Sequence, residues 1–87
     1  TDHVRVYPNP VRPEYRGNIT ISGLTEGADV KITAADGRLV RTGTSLGGTF
    51  IWDGHTATGH RVPTGVYLIM VSTADGQNGI VAKVTVI

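Results

Sequence analysis

Few residues in this chain have the type and spacing that chemistry requires. His55 and His60 stand five apart, and His3 lies far off at the other end. That spacing, in a stretch rich in Gly and Pro, lacks the helical scaffold that puts two imidazoles on one face at i and i+4. No Cys or paired carboxylate completes a coordination shell, so no metal is expected. Asp29, Asp36, Asp53 and Asp75 are the candidate acid–base carboxylates, but the last three each directly precede a Gly. Turn formation accounts for that spacing, and a solvated turn tip does not split or raise carboxylate pKa values as acid–base catalysis needs. Ser22, Ser45 and Ser72 have no His or Lys at an activating spacing. The chain has no Cys, which removes a thiol nucleophile, a disulfide framework and a thiolate zinc site. No catalytic residue and no cofactor is expected.

The groups suited to binding are scarce as well. Gly43, Gly47 and Gly48 precede no helix whose N-terminus could hold an anion, and they read as a flexible hairpin loop. Arg12, Arg16, Arg38 and Arg41 are candidates for a basic strip. Tyr7 and Tyr15, and less directly Tyr67, are candidates for stacking on sugars, although tyrosines also simply pack at sandwich edges.

Whatever these residues do, a small framework must hold them. Eighty-seven residues make one domain that buries roughly 60–65% of its unfolded surface, too thin a core to enclose a large catalytic cleft. Eight Lys plus Arg against seven Asp plus Glu give a net charge of +1, with no footprint for nucleic acid or an anionic membrane. No apolar run is long enough to span a bilayer as a helix, and the chain opens with no export leader. Its start at Thr1-Asp2-His3 reads like a cut in a linker. Residues 1–87 are therefore expected to be a single domain excised from the C-terminal end of a longer parent.

Twelve Gly and four Pro interrupt every would-be helix, and Val, Ile, Thr and Tyr fill the runs between them, the pattern of many short strands. A first strand should end at Tyr7, before Pro8-Asn9-Pro10. Residues 18–22 should turn Ile19 and Ile21 inward, and residues 29–34 should do the same with Val30 and Ile32. Asp36-Gly37 signals a two-residue type I′ hairpin turn into a strand over 38–42. Phe50 and Trp52 share a face, with Trp52 in the core. Residues 55–64 are irregular. Residues 66–71 are apolar on both faces, as in a central strand, with Val66, Leu68 and Met70 as core and Tyr67 exposed. In the last strand Ile80, Ala82, Val84 and Val86 alternate with Val81, Lys83, Thr85 and Ile87. Seven strands with turn signals every eight to twelve residues predict an all-β, immunoglobulin-like sandwich of antiparallel strands; a five- or six-stranded barrel is the competitor.

Four stretches in this order, VYPNPV at Val6–Val11, ADGRLV at Ala35–Val40, WDG at Trp52–Gly54 and G-x-x-V-P-x-G-V-Y at Gly59–Tyr67, with a closing K-V-x-V at Lys83–Val86, span nearly the whole chain. Together they resemble the C-terminal sorting domain of the Por (type IX) secretion system. The WDG and GVY portions also resemble the Ig-like domain of the flagellar hook cap. The first resemblance implies a non-catalytic signal domain, by which a parent protein crosses the periplasm and is recognised by the outer-membrane translocon of a Gram-negative bacterium. It implies as partners that secretion machinery, a sortase-like peptidase and anionic lipopolysaccharide, and as destination the cell surface or outer membrane. The family's signal maps here onto Gly65, Val66 and Tyr67 and onto Lys83, Val84 and Thr85. The hook-cap resemblance implies instead a structural spacer or assembly module, and the tyrosines leave a glycan-binding module as a third reading.

Overall fold

A computed structural model describes residues 4–72 and 78–87 of the chain. Seven strands form: β1 (Arg5–Tyr7), β2 (Ile19–Ser22), β3 (Asp29–Ala34), β4 (Leu39–Thr44), β5 (Phe50–Trp52), β6 (Gly65–Ser72) and β7 (Asn78–Val86). They lie in two sheets, of three strands in the order β1-β2-β5 and of four in the order β4-β3-β6-β7, and every paired neighbour is antiparallel. This is the expected immunoglobulin-like sandwich rather than a barrel, with β4 joined to the sheet of β3.

Alternation explains the core. Ile19 and Ile21 of β2, Val30 and Ile32 of β3 and Trp52 of β5 point between the sheets, as their period-two spacing predicts. Trp52 is only 1% exposed. Its indole N–H donates to the His55 carbonyl at 2.9 Å, so the large apolar ring is buried without orphaning its one polar atom. Phe50 shares that face and lies against Gly43 of β4, where a Cβ would overlap the ring. Gly43 is thus a close-packing position inside a strand, not part of a loop.

Two turns differ from expectation. Among the described residues all those with positive φ are glycines, so Asp36 does not occupy the first central position of a type I′ turn. Instead Gly37 N–H donates to Ala34 C=O at 2.9 Å and Ala34 N–H to Arg38 C=O at 2.8 Å, a three-residue loop with Gly37 at φ +91°. The type I′ geometry lies at Gly47-Gly48, where both φ values are positive and Leu46 and Thr49 exchange backbone bonds of 2.9 and 3.2 Å. That segment is a tight turn rather than a flexible loop. A further residue singled out in the sequence, Ser45, is fully buried and locks the β4–β5 side of the sandwich. Its hydroxyl donates to Thr25 C=O at 2.5 Å and accepts Ala28 N–H at 3.1 Å.

Candidate functional site

The hairpin of β6 and β7 contains all six residues onto which the sorting signal maps. Its register pairs Gly65 with Val86, Val66 with Thr85, Tyr67 with Val84 and Leu68 with Lys83. Successive residues of a strand face opposite sides, so these pairs separate into two sets. Tyr67, Ile69, Val71, Val84 and Val86 face the core. Val66, Leu68, Met70, Lys83 and Thr85 lie on the outer face, with Lys31 of β3 opposite Met70.

This phase reverses the expectation for β6. Val66, Leu68 and Met70 are not core, since Val66 is 40% exposed and the other two are half-buried. Tyr67, expected at the surface, is 2% exposed. A run apolar on both faces carries no alternation to set its phase, and the deciding influence is the polar end of Tyr67. Its hydroxyl donates to the Pro63 carbonyl four residues upstream at 2.5 Å, and its ring meets Trp52 edge-on with centroids 5.9 Å apart. A tyrosine at the start of the sixth strand bonded to upstream backbone is a known corner of immunoglobulin-like sandwiches. Burial pushes the Tyr67 pKa up, and the nearby positive charge of Arg38 partly offsets that rise.

In β7 the expected inward set holds at Val84 and Val86 and fails at Ile80, which is 59% exposed. Ala82 opposes Ile69 and Ile80 opposes Met70, so Val81 is one extra residue in β7. Such a bulge inverts the alternation beyond it, turning Ile80 outward while Val81 packs against the core.

β7 is the edge strand of its sheet, but part of its edge is closed by the N-terminal segment. The Asn9 side chain donates from Nδ2 to Lys83 C=O and accepts Thr85 N–H at Oδ1, both at 3.1 Å. Val11 N–H donates to Thr85 C=O at 2.7 Å and Ile87 N–H to Val11 C=O at 2.8 Å. The buried Val11 side chain anchors this strap. Among the described residues no strand pairs with the outer edge of β7 over 78–82. The hairpin tip and its Asp75 turn lie outside the described residues.

The other candidates scatter. His55 and His60 do not converge: His55 Nδ1 lies 2.8 Å from the Asp53 carbonyl, whereas His60 is exposed, and His3 lies outside the described residues. Among the described residues no group of three or more His, Asp or Glu side chains is placed to hold a metal ion. Asp53 accepts Arg41 at 3.2 Å and the His55 N–H at 2.9 Å, and Asp36 accepts the Arg38 N–H, so both serve turns. The arginines form no strip: Arg41 is held by Asp53, while Arg12 and Arg38 line separate grooves. Tyr7 is 51% exposed on the outer face of the three-stranded sheet. Tyr15 packs against the core, with its hydroxyl donating to Asn18 C=O at 2.7 Å. The groove that Tyr15 lines with Pro8, Pro10, Arg12 and Glu14 does not include Tyr7. Sequence reasoning missed Asn9 and Val11 as partners of β7. The available signal was a lone amide side chain between two prolines, residues that cannot donate a backbone bond to a strand.

No protein-family model matches the chain, and no curated protein does. Among solved structures it is similar to PorZ, described as an essential bacterial surface component of the type IX secretion system of Porphyromonas gingivalis. The identity is 40% and the TM-score 0.87. The similarity covers 99% of this chain and 12% of that one, so the chain spans about one eighth of the PorZ chain. The resemblance to a type IX secretion domain drawn from the motifs is thereby borne out. The chain is a β-sandwich domain tied by this similarity to that system.

Proposed function

We infer that this domain is an address label: a C-terminal sorting domain of a longer protein, read by the type IX translocon and catalysing nothing itself. The observation that carries this reading is the similarity to a part of PorZ over 99% of the chain. Exposure on the hairpin supports a choice among the residues of the signal. Val66, Lys83 and Thr85 are exposed on the outer face and Gly65 is half-exposed at the start of β6, whereas Tyr67 and Val84 act from beneath by fixing the phase of that face. With Asn9 and Val11 occupying the edge beside Lys83–Ile87, recognition there goes through side chains of the face rather than strand addition. The destination that follows is the cell surface or outer membrane of a Gram-negative bacterium.

A reporter fused ahead of residues 1–87, in a host with this machinery, should reach the surface. Combined Val66→Asp and Lys83→Glu substitutions, both at exposed positions, should leave the fold intact and hold the reporter in the periplasm. Surface delivery of the double variant at the wild-type level would remove the face from the mechanism. Periplasmic retention of the unmodified fusion would favour the structural spacer instead.

A further inference from the structure

Lys83 and Thr85, the exposed residues that β7 adds to the outer row, are tied by their backbones to a segment outside the hairpin. In an antiparallel pair, opposed residues alternate between those that bond each other and those whose N–H and C=O point away from the partner strand. Thr85 N–H donates to Asn9 Oδ1 and Thr85 C=O accepts Val11 N–H, so Thr85 and its opposite Val66 are of the second kind. Lys83 C=O, which accepts Asn9 Nδ2–H, points the same way. The intervening Val84, opposite Tyr67, is therefore of the first kind and bonds to β6. Core and row residues of β7 thus differ in what holds them. The peptide groups of Val84 belong to the β6 ladder, whereas residues 9–11 hold Lys83 C=O, Thr85 N–H and Thr85 C=O.

That strap has few points of attachment. Pro8 and Pro10 have no N–H, so between them the Asn9 side chain supplies both a donor and an acceptor to the edge. The next backbone donor is Val11, whose carbonyl also accepts Ile87 N–H and whose side chain is 1% exposed. Detaching residues 9–11 breaks these bonds and leaves the pairings within both sheets in place, so it is a local opening rather than unfolding. Three peptide groups of the row residues then face water on an uncovered edge. The Lys83 and Thr85 side chains lose the backbone anchor that aligns them with Val66, the 40% exposed member of the row on β6.

We propose that residues 9–11 are a positioning latch for recognition, with Asn9 as its positioning residue: docked, they align Lys83 and Thr85 beside Val66; detached, they leave a domain that is folded but not read. This role rests on the sorting reading and deepens it, as a control of the same face exercised by residues distant in sequence.

The test pairs hydrogen exchange on the 87-residue chain with surface delivery of the reporter fusion. Asn9→Ala removes the two side-chain bonds but leaves the Val11 amide its own acceptor, Thr85 C=O, so exchange at Val11 reports whether the strap stays docked. It should quicken about tenfold, while the Val84 amide, bonded toward β6, changes only with global stability. Delivery by Asn9→Ala should fall below that of Ser45→Ala or Gly43→Val, whichever has the nearer unfolding midpoint, since both lie outside the strap and the hairpin. The chain has no Cys, so Val11→Cys with Val86→Cys, across the bridge that joins these residues, allows one disulfide when the reporter is free of cysteine. In the oxidising periplasm that crosslink should restore delivery to Asn9→Ala, and Val11→Cys alone should not. Unchanged exchange at Val11 in Asn9→Ala, or delivery equal to that of the stability-matched variant, would overturn the proposal. A crosslinked variant that unfolds at the wild-type midpoint yet stays in the periplasm would do the same. An unmodified fusion held in the periplasm would instead sink the sorting reading, and the recognition role of the latch with it.

Discussion

The N-terminal strap makes a quantitative claim about Asn9. Its side-chain amide stands in for a strand on the edge of β7, giving Nδ2–H to Lys83 C=O and taking Thr85 N–H at Oδ1. The orientation is fixed by the partners, since a carbonyl needs a donor and an N–H an acceptor. Asn9→Ala removes both bonds. At about 0.5–1.5 kcal/mol net for each, the loss is about 1–3 kcal/mol, and solvent access to this exposed site favours the lower half of that range. For a domain of this size that corresponds to roughly 4–16 °C in the unfolding midpoint. Asn9→Asp keeps the acceptor for Thr85 but sets a second oxygen against the Lys83 carbonyl.

Because only the protonated carboxyl can donate to that carbonyl, the folded Asn9→Asp variant binds its proton more tightly than the unfolded chain does. Its stability is therefore greater at low pH and declines as pH rises through the carboxylate range, near pH 4 and above. Thermal unfolding by circular dichroism reads both effects, and hydrogen exchange at the Thr85 amide localises them. A midpoint for Asn9→Ala within a degree of wild type, or unchanged protection of Thr85, would refute the claim that Asn9 seals the edge.

Three further outcomes follow from the packing. Gly43→Val puts branched carbon into space that the Phe50 ring already fills, so Phe50 must leave its site, at a cost of about 1–3 kcal/mol read as a lower denaturant midpoint. Ser45→Ala removes the hydroxyl that links Ala28 N–H to Thr25 C=O but leaves those two groups bonded to each other at 3.2 Å; a loss of about 0.5–1.5 kcal/mol is expected, and a larger one would mean that this direct bond depends on the hydroxyl. Tyr67 has a raised folded-state pKa, first from burial, so its contribution is fully present below about pH 10 and is lost as pH climbs through the folded value. In urea titrations Tyr67→Phe should flatten that alkaline decline, and an unchanged alkaline slope would show that another group causes it.

Strand existence was legible because most strands carry alternation. The β3 bounds, 29–34, and the end of β1 at Tyr7 fall where the sequence places them. Phase was legible only where polar residues mark one face, as in β2 and β3. In β6 every residue from Val66 to Val71 is apolar or aromatic, and the bond from Tyr67 to Pro63 decides which half goes inward. In β7 one bulged residue, Val81, switches the phase, and nothing in a run of branched residues announces it. The two Gly-containing turns show a related limit. Asp-Gly is a strong type I′ signal, but only a Gly-Gly pair supplies positive φ at both positions without strain, and Gly47-Gly48 takes that geometry. The edge cover could not be read from strand patterns at all, because Asn9 pairs with β7 through its side chain.

These features together constrain how the hairpin can be read. Residues that set its phase, Tyr67 and Val84, and residues that present its outer face, Val66, Lys83 and Thr85, alternate along the same two strands. Deleting the last five residues would remove Val84 and Val86 from the core along with Lys83 and Thr85 from the face, so loss of export after that deletion could arise from unfolding alone. Substitutions confined to the outer row separate the two causes. If the row carries the signal, Val66→Asp with Lys83→Glu blocks delivery while the unfolding midpoint stays near wild type. If instead delivery follows stability, Gly43→Val and Ser45→Ala, both outside the hairpin, reduce it as much as the row substitutions do.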